Sequence, residues 1–283
     1  MPFAAILLLF FSALLHTAWN LLLKQAGRKY IATWWAILLG AGLLLPVLLF
    51  TGVPARETWP LLLSSVLVET AYFVVLSLAY READFSLVYP LARGAAPLMT
   101  AVWSVLFLQE RLTPGGVAGL GIVVLGLVMV GGSNLLTGMQ TPRRSGILLS
   151  LLLALLISVY SVIDGAAVKQ TPAFAYTVLV FFLSPVLAAP LVFKRYGWQT
   201  LKSELTQDKV RILAIGILTV SAYLLTLAAY AIAKVSYSGA VREVSVVMGA
   251  LAGWLFLGEN LVRLRVWGAL VIFGGILCIT LAG

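Results

Sequence analysis

Residues 85–112 read FSLVYPLARGAAPLMTAVWSVLFLQERL, and residues 234–261 read KVSYSGAVREVSVVMGALAGWLFLGENL. Shifted by 149 positions, the two stretches match at Arg93 and Arg242, Met99 and Met248, Ala101 and Ala250, Leu106 and Leu255, Phe107 and Phe256, Leu108 and Leu257, Glu110 and Glu259, and Leu112 and Leu261. Each sets one arginine inside an apolar run, then closes on an aromatic-aliphatic triplet and an acid that marks the return to water. A guanidinium at that depth is costly in hydrocarbon, so it should face protein or a wet cavity. Its recurrence half a chain away points to internal duplication.

Composition fixes the solvent. The 283 residues are 62% hydrophobic and 10% charged, with a mean hydropathy of +1.07. A soluble domain carries roughly 25% charged residues, so this chain reads as an all-α integral membrane protein. Its net charge of +9 is explained by basic residues at segment ends, and no nucleic-acid partner is expected. With one histidine, His16, and one cysteine, Cys278, neither an internal disulfide nor a metal site is expected, and no cofactor.

About 20 apolar residues span the hydrocarbon core as a helix. Ten spans are expected, near 4–24, 31–50, 60–80, 85–108, 115–133, 146–168, 174–193, 210–231, 235–257 and 263–282. The first lacks a preceding basic residue and is longer than a signal-peptide core, so it reads as an uncleaved helix. The polar stretch around 134–145 separates a first five-helix repeat, 1–133, from a second, 146–283. Five is odd, so homologous halves cross the membrane in opposite senses, as two inverted repeats.

Connections after odd-numbered spans hold 13 Lys and Arg, and those after even-numbered spans hold 4. The positive-inside rule puts the odd connections in the cytoplasm and both termini outside. Span 5 carries Gly115, Gly116, Gly119, Gly121, Gly126, Gly131 and Gly132, and span 10 carries Gly268, Gly274 and Gly275. Small residues let backbones approach in lipid, so these spans should pack tightly, within a monomer or between the subunits of a homodimer. Trp34, Trp35, Trp59 and Trp198, near span ends, read as interfacial anchors.

The runs LLHTAWNLLLKQ at 14–25, FLQERLTPGGVAGLGIVVLGLVMV at 107–130, FLGENL at 256–261 and WGALVIFGGIL at 267–277 resemble the drug/metabolite transporter superfamily, in its ten-helix EamA-type members. The likeness covers nearly the whole chain. It implies secondary transport of a small organic solute through a central cavity formed by helices 1, 3, 4, 6, 8 and 9.

Several polar side chains inside spans form short stripes. His16 and Asn20 share a face with Trp19 beside them; Glu69 and Tyr72 lie three apart; Tyr89 and Arg93, Tyr160 and Asp164, and Ser238 and Arg242 each lie four apart, with Glu243 next in sequence. These twelve residues are the expected substrate site if the stripes converge. Paired arginines suit one carboxylate, phosphate or phosphonate. Three membrane acids against two arginines also suit a zwitterion, such as an amino acid or aminophosphonate, and Glu69, Asp164 and Glu243 are the candidates for coupling to protons. The bland alternative is that Glu69 with Arg93, and Asp164 or Glu243 with Arg242, only neutralise one another. Glu110 and Glu259, at helix ends beside Arg111 and Asn260, read as acids solvated at the interface or capping loops rather than as substrate contacts. No H-E-x-x-H or G-x-S-x-G occurs and no nucleophile–base pair presents itself, so an enzyme is not expected. The expectation is a transporter in the cytoplasmic (inner) membrane, in contact with lipid and an anionic or zwitterionic solute. An exporter of cationic aromatic compounds and a lipid-carrier flippase are its alternatives.

Overall fold

The computed structural model describes residues 1–82, 85–135, 144–257 and 263–283. They form helices and short connections, with no strand among the described residues. In chain order the long helices are α1 (Phe3–Lys24), α2 (Lys29–Leu44, extended by a 3-10 turn and a further turn to Thr51), α3 (Trp59–Glu82), α4 (Phe85–Leu108) and α5 (Pro114–Leu135). After them come α6 (Arg144–Val168), α7 (Ala173–Tyr196), α8 (Lys209–Ile232), α9a (Val235–Arg242), α9b (Val244–Leu257) and α10 (Arg263–Ala282). Among the described residues eight helices are long and apolar enough to cross a membrane, and Pro114–Val130 is a shorter apolar helix. The expected span 235–257 is instead interrupted at Glu243. Helix α5 runs on to Leu135 and α6 starts at Arg144, so the expected connection around 134–145 is partly helical, and 136–143 lie outside the described residues.

The packing shows the repeat directly. Contacts of α4 with α6, α1 with α8, α2 with α8 and α4 with α5 have counterparts in α9 with α1, α6 with α3, α7 with α3 and α9b with α10. Each pair becomes its counterpart when the halves are exchanged. The pairs α2–α7, α4–α9a and α5–α10 map onto themselves, as contacts across a pseudo-two-fold axis must.

Residues of alternate connections collect at opposite ends. At one end Thr113 N–H donates to the Tyr237 hydroxyl at 2.8 Å, and the Thr113 hydroxyl reaches the Ala282 carbonyl. At the other, Arg28 N–H donates to Glu204 Oε1 at 2.8 Å and Arg211 to the Gln25 carbonyl at 3.0 Å. Glu204 belongs to a ten-residue helix, Trp198–Gln207, within the polar connection between α7 and α8.

Glycine sets the closest helix approaches. A Cβ at Gly126 would lie 2.6 Å from Ile272 Cγ1 and 2.7 Å from the Gly268 carbonyl, and one at Gly119 would lie 2.8 Å from the Gly275 carbonyl. The glycine stripes of spans 5 and 10 therefore meet within one chain. Gly40 on α2 and Gly216 on α8 make a second crossing, where a Cβ on either would run into the other helix's backbone. Two tryptophans depart from expectation: Trp34 and Trp35 are buried and donate to the carbonyls of Pro185 and Leu201, both at 2.9 Å. An indole N–H inside the bundle needs such a partner, so these rings fasten α2 to α7 and to the connecting helix. Trp59 and Trp198 remain exposed.

Gly126→Ala forces α5 and α10 apart, and an overpacking loss of about 1–3 kcal/mol is expected. Gly121→Ala, whose Cβ meets nothing within 4 Å, should be neutral or gain up to about 1 kcal/mol of helix propensity. Thermal unfolding of the two variants in detergent checks this, and equal losses would refute the assigned contact.

Candidate substrate site

The arginines come first because their charge is the hardest to bury. Arg93 is 9% exposed on α4, which runs as one helix through Pro90 and Pro97. Its Nε lies 3.1 Å from Glu243 Oε2, at an angle that is ionic rather than hydrogen-bonding, and its Nη2 donates to Ser245 Oγ at 3.2 Å. Glu243 reaches Arg93 from the joint of α9, where φ −66° and ψ −6° close a tight turn between α9a and α9b.

Arg242, the last residue of α9a, is placed differently from its repeat twin. Its guanidinium stands 5.6 Å from the centre of the Tyr223 ring, with Tyr160 and Tyr230 near it. Among the described residues no carboxylate lies within 4.0 Å of it. Arg93, Arg242, Glu243, Tyr230 and Ser161 line one narrow cleft, whose space for water centres is about 10 Å³. That is room for about one water molecule.

The acids differ as much as the arginines. Asp164 is fully buried on α6 and takes three hydroxyl hydrogen bonds: Ser65 of α3 at 2.5 Å and Tyr176 of α7 at 2.7 Å on Oδ1, and Tyr223 of α8 on Oδ2. One carboxylate thus ties four helices together. Glu69, 6% exposed on α3, has no cationic nitrogen within 4.0 Å among the described residues. Asp164 and Arg242 lie within its Coulomb range, and the Ser184 hydroxyl is beside it. Among the described residues the carboxylate within 4.0 Å of Arg93 is Glu243 rather than the Glu69 that the sequence suggested.

Among the remaining expected residues, His16 feels the charges of both Arg93 and Arg242 and packs edge-on to Trp19 at 4.9 Å. Asn20 turns back to donate to the His16 carbonyl at 2.8 Å. Tyr72, Tyr160 and Tyr223 form a chain of rings 6.0 and 6.3 Å apart. Ser238 Oγ and Trp19 Nε1 are buried without a hydrogen-bond partner among the described residues. The side chain of Tyr89 lies outside the described residues. Residues not anticipated are Ser65, Tyr176, Tyr223, Tyr230 and Ser245. The repeat offered a signal for one of them, since Ala71-Tyr72 on span 3 is echoed by Ala222-Tyr223 on span 8, two positions out of the 149-residue register.

A roomier cleft lies elsewhere. It has about 540 Å³ and is lined by Glu110, Lys169, Lys234 and Tyr237 at the bundle end. Glu110 caps α9a as expected, accepting from Val235 N–H at 2.6 Å and from Ser236 N–H and Oγ at 3.2 and 2.6 Å. Gln109 before it has φ 54°, the left-handed turn that ends α4 and aims the carboxylate. The cleft is an end vestibule held by a capping acid; the convergent charges lie at the arginines, and that is where a solute site is sought.

The EamA-like transporter family matches the chain twice, over residues 3–132 and 144–281. A solved crystal structure, described only as that of a protein, superposes with a TM-score of 0.80 at 20% identity, over 99% of this chain and 98% of that one. No curated protein matches in sequence.

Removing one partner of the Arg93–Glu243 pair strands a charge whose side chain is at most 11% exposed. Arg93→Gln and Glu243→Gln should each lose about 3–5 kcal/mol, and the double variant should recover most of it. Unfolding midpoints of the four proteins test the coupling, and additive losses would show that the pair contributes nothing.

Proposed function

The chain belongs to the EamA-like transporter family, and on that premise we propose that it carries a small zwitterionic or anionic organic metabolite across the cytoplasmic membrane by alternating access, holding the solute's anionic group on Arg242. The observation that carries this reading is the inequality of the two arginines. Arg93 is neutralised by Glu243, while Arg242 lies over an aromatic ring with no carboxylate within 4.0 Å among the described residues. A guanidinium held on an aromatic face, with hydroxyls around it, offers its fork of donors to an incoming carboxylate or phosphonate. The chain of Tyr72, Tyr160 and Tyr223 gives the solute's carbon frame an apolar wall with polar tips.

The exchange of helix contacts between halves supports two related open states reached by rocking one repeat against the other. Lys194, Arg195, Lys202, Lys209 and Arg211 lie toward the end occupied by Glu204, which supports a cytoplasmic placement of that end and termini outside.

In a ligand-stabilisation screen of the purified protein, amino acids, aminophosphonates or organic anions should raise the unfolding temperature, because binding to the folded state alone adds stability. Arg242→Gln should bind the same compound about 10–100-fold more weakly, from the loss of charged hydrogen bonds worth about 1.5–3 kcal/mol. Stabilisation by quaternary ammoniums alone, unaltered in Arg242→Gln, would sink the proposal.

A further inference from the structure

Helix α9a lines two clefts. Gly239 and Arg242 line the narrow one beside Arg93, and Lys234 and Tyr237 line the roomier vestibule at the end of the bundle opposite Glu204. Helix α8 does the same over adjacent residues, with Tyr230 on the inner cleft and Ala231 on the vestibule, so the two spaces approach each other along it. The vestibule's volume of about 540 Å³ is that of a small-molecule site, which runs from about 300 to 1,000 Å³.

Two of the chain's lysines line this vestibule. Lys234 precedes α9a, and its ammonium lies 4.9 Å from the centre of the Tyr237 ring. A cation at that place opposes the helix dipole, whose N-terminal end is itself positive. Glu110 offsets part of the conflict, but its oxygens already accept from the Val235 and Ser236 N–H groups and from the Ser236 hydroxyl. Lys169, just past α6, stands 3.8 Å from Glu110, beyond hydrogen-bonding distance, with its side chain 39% exposed. The vestibule's side chains thus hold two ammoniums and one carboxylate, and one further anionic group brings them to neutrality. Inward from Lys234, Ser238 and Arg242 follow at intervals of four on one face of α9a. A helical serine has the carbonyl four residues back within reach. Ser238, fully buried, nonetheless has no hydrogen-bond partner for its hydroxyl among the described residues, and it stands halfway between the two cations.

We propose that the vestibule is a second anion-binding site, which takes a carboxylate, phosphate or phosphonate group on Lys169 and Lys234 and hands a solute's anionic group past Ser238 to Arg242. The site stands on its own, and the handing-on rests on the assignment of Arg242 to the solute. Lysines bind such a group as point charges, without the bidentate fork of a guanidinium, so the vestibule collects and releases while Arg242 holds. A lipid headgroup carries the same phosphate chemistry as a soluble anion, and the two sources are separable.

Methylating the lysines of the purified protein with carbon-13 formaldehyde makes each an NMR reporter that keeps its charge. In lipid-free detergent, methylphosphonate should shift the Lys169 and Lys234 signals, while Lys24, Lys29, Lys194, Lys202 and Lys209, toward the opposite end, stay still. Lys234→Gln should weaken the Lys169 response about tenfold, from the loss of one charged partner, and Lys234→Arg should keep it. Silence at Lys169 and Lys234, or equal shifts at every lysine, overturns the site. A response to phosphatidylglycerol micelles and not to methylphosphonate makes the vestibule a lipid site and overturns the passage of solute. In Arg242→Gln the vestibule response should persist, and its loss there overturns a separate site. The solute selected by the stabilisation screen should associate more slowly with Lys234→Gln; an unchanged rate overturns the handing-on and leaves the Arg242 assignment intact. Undiminished solute binding in Arg242→Gln overturns that assignment instead and leaves the vestibule standing.

Discussion

A carboxylate with no water around it must be satisfied by protein, and Asp164 is where this chain meets that demand most completely. Three hydroxyls from α3, α7 and α8 converge on it, so the residue links both repeats at the centre of the bundle. Apolar side chains pack against lipid tails as readily as against one another, and give helices little reason to choose a neighbour. Choice comes from features that lipid cannot imitate. Glycine crossings such as Gly40 with Gly216 and Gly126 with Ile272 admit only a backbone partner of matching relief. Hydroxyl–carboxylate nodes admit only a partner with the right donor. Together they fix which helices touch, and the Arg93–Glu243 pair adds α4 to α9.

The duplication provides a symmetric frame, and its working residues break the symmetry. Helix α4 carries Arg93 through an unbroken helix with two prolines, whereas its counterpart is divided directly after Arg242. That division lets Glu243 point across to Arg93 while Arg242 stays with α9a. The first repeat has no acid next to its arginine, only Gly94, so one pair forms where the repeat alone would allow two. Arg242 is left without a carboxylate within 4.0 Å among the described residues. At its other end α9a is held by Glu110, so a rigid segment of eight residues, about 12 Å long, connects a capped vestibule to the charge inside.

Much of this was legible in the sequence, for identifiable reasons. Hydropathy locates helices because backbone in lipid has few alternatives, and the glycine stripes of spans 5 and 10 announced a tight crossing that the structure has. The arginines and Glu110 were readable because a charge within an apolar run is conspicuous. The hydroxyl partners were not. Ser65, Tyr176 and Tyr223 are compatible with ordinary helix packing, and only the three-dimensional convergence on Asp164 gives them a role. Trp34 and Trp35 misled for the opposite reason, since a tryptophan near a span end has an interfacial explanation ready, and the acceptors at Pro185 and Leu201 are far away in sequence. The pairing of Glu243 with Arg93 was hidden because adjacency favoured its neighbour Arg242.

The energetics of buried charge separate what holds the bundle from what it is for. A well-made buried pair is roughly neutral for stability compared with apolar residues of the same size. Arg93 with Glu243 can therefore be accounted for by specificity of packing, as can Asp164 with its three donors. Arg242 and Glu69 have no such account. Each is removed from bulk water, neither has an opposite charge within 4.0 Å among the described residues, and leucine or glutamine in their places would pack at lower cost. On the proposed reading, part of the cost of Arg242 is offset by the Tyr223 ring that carries it, and the rest by the anionic group of a solute.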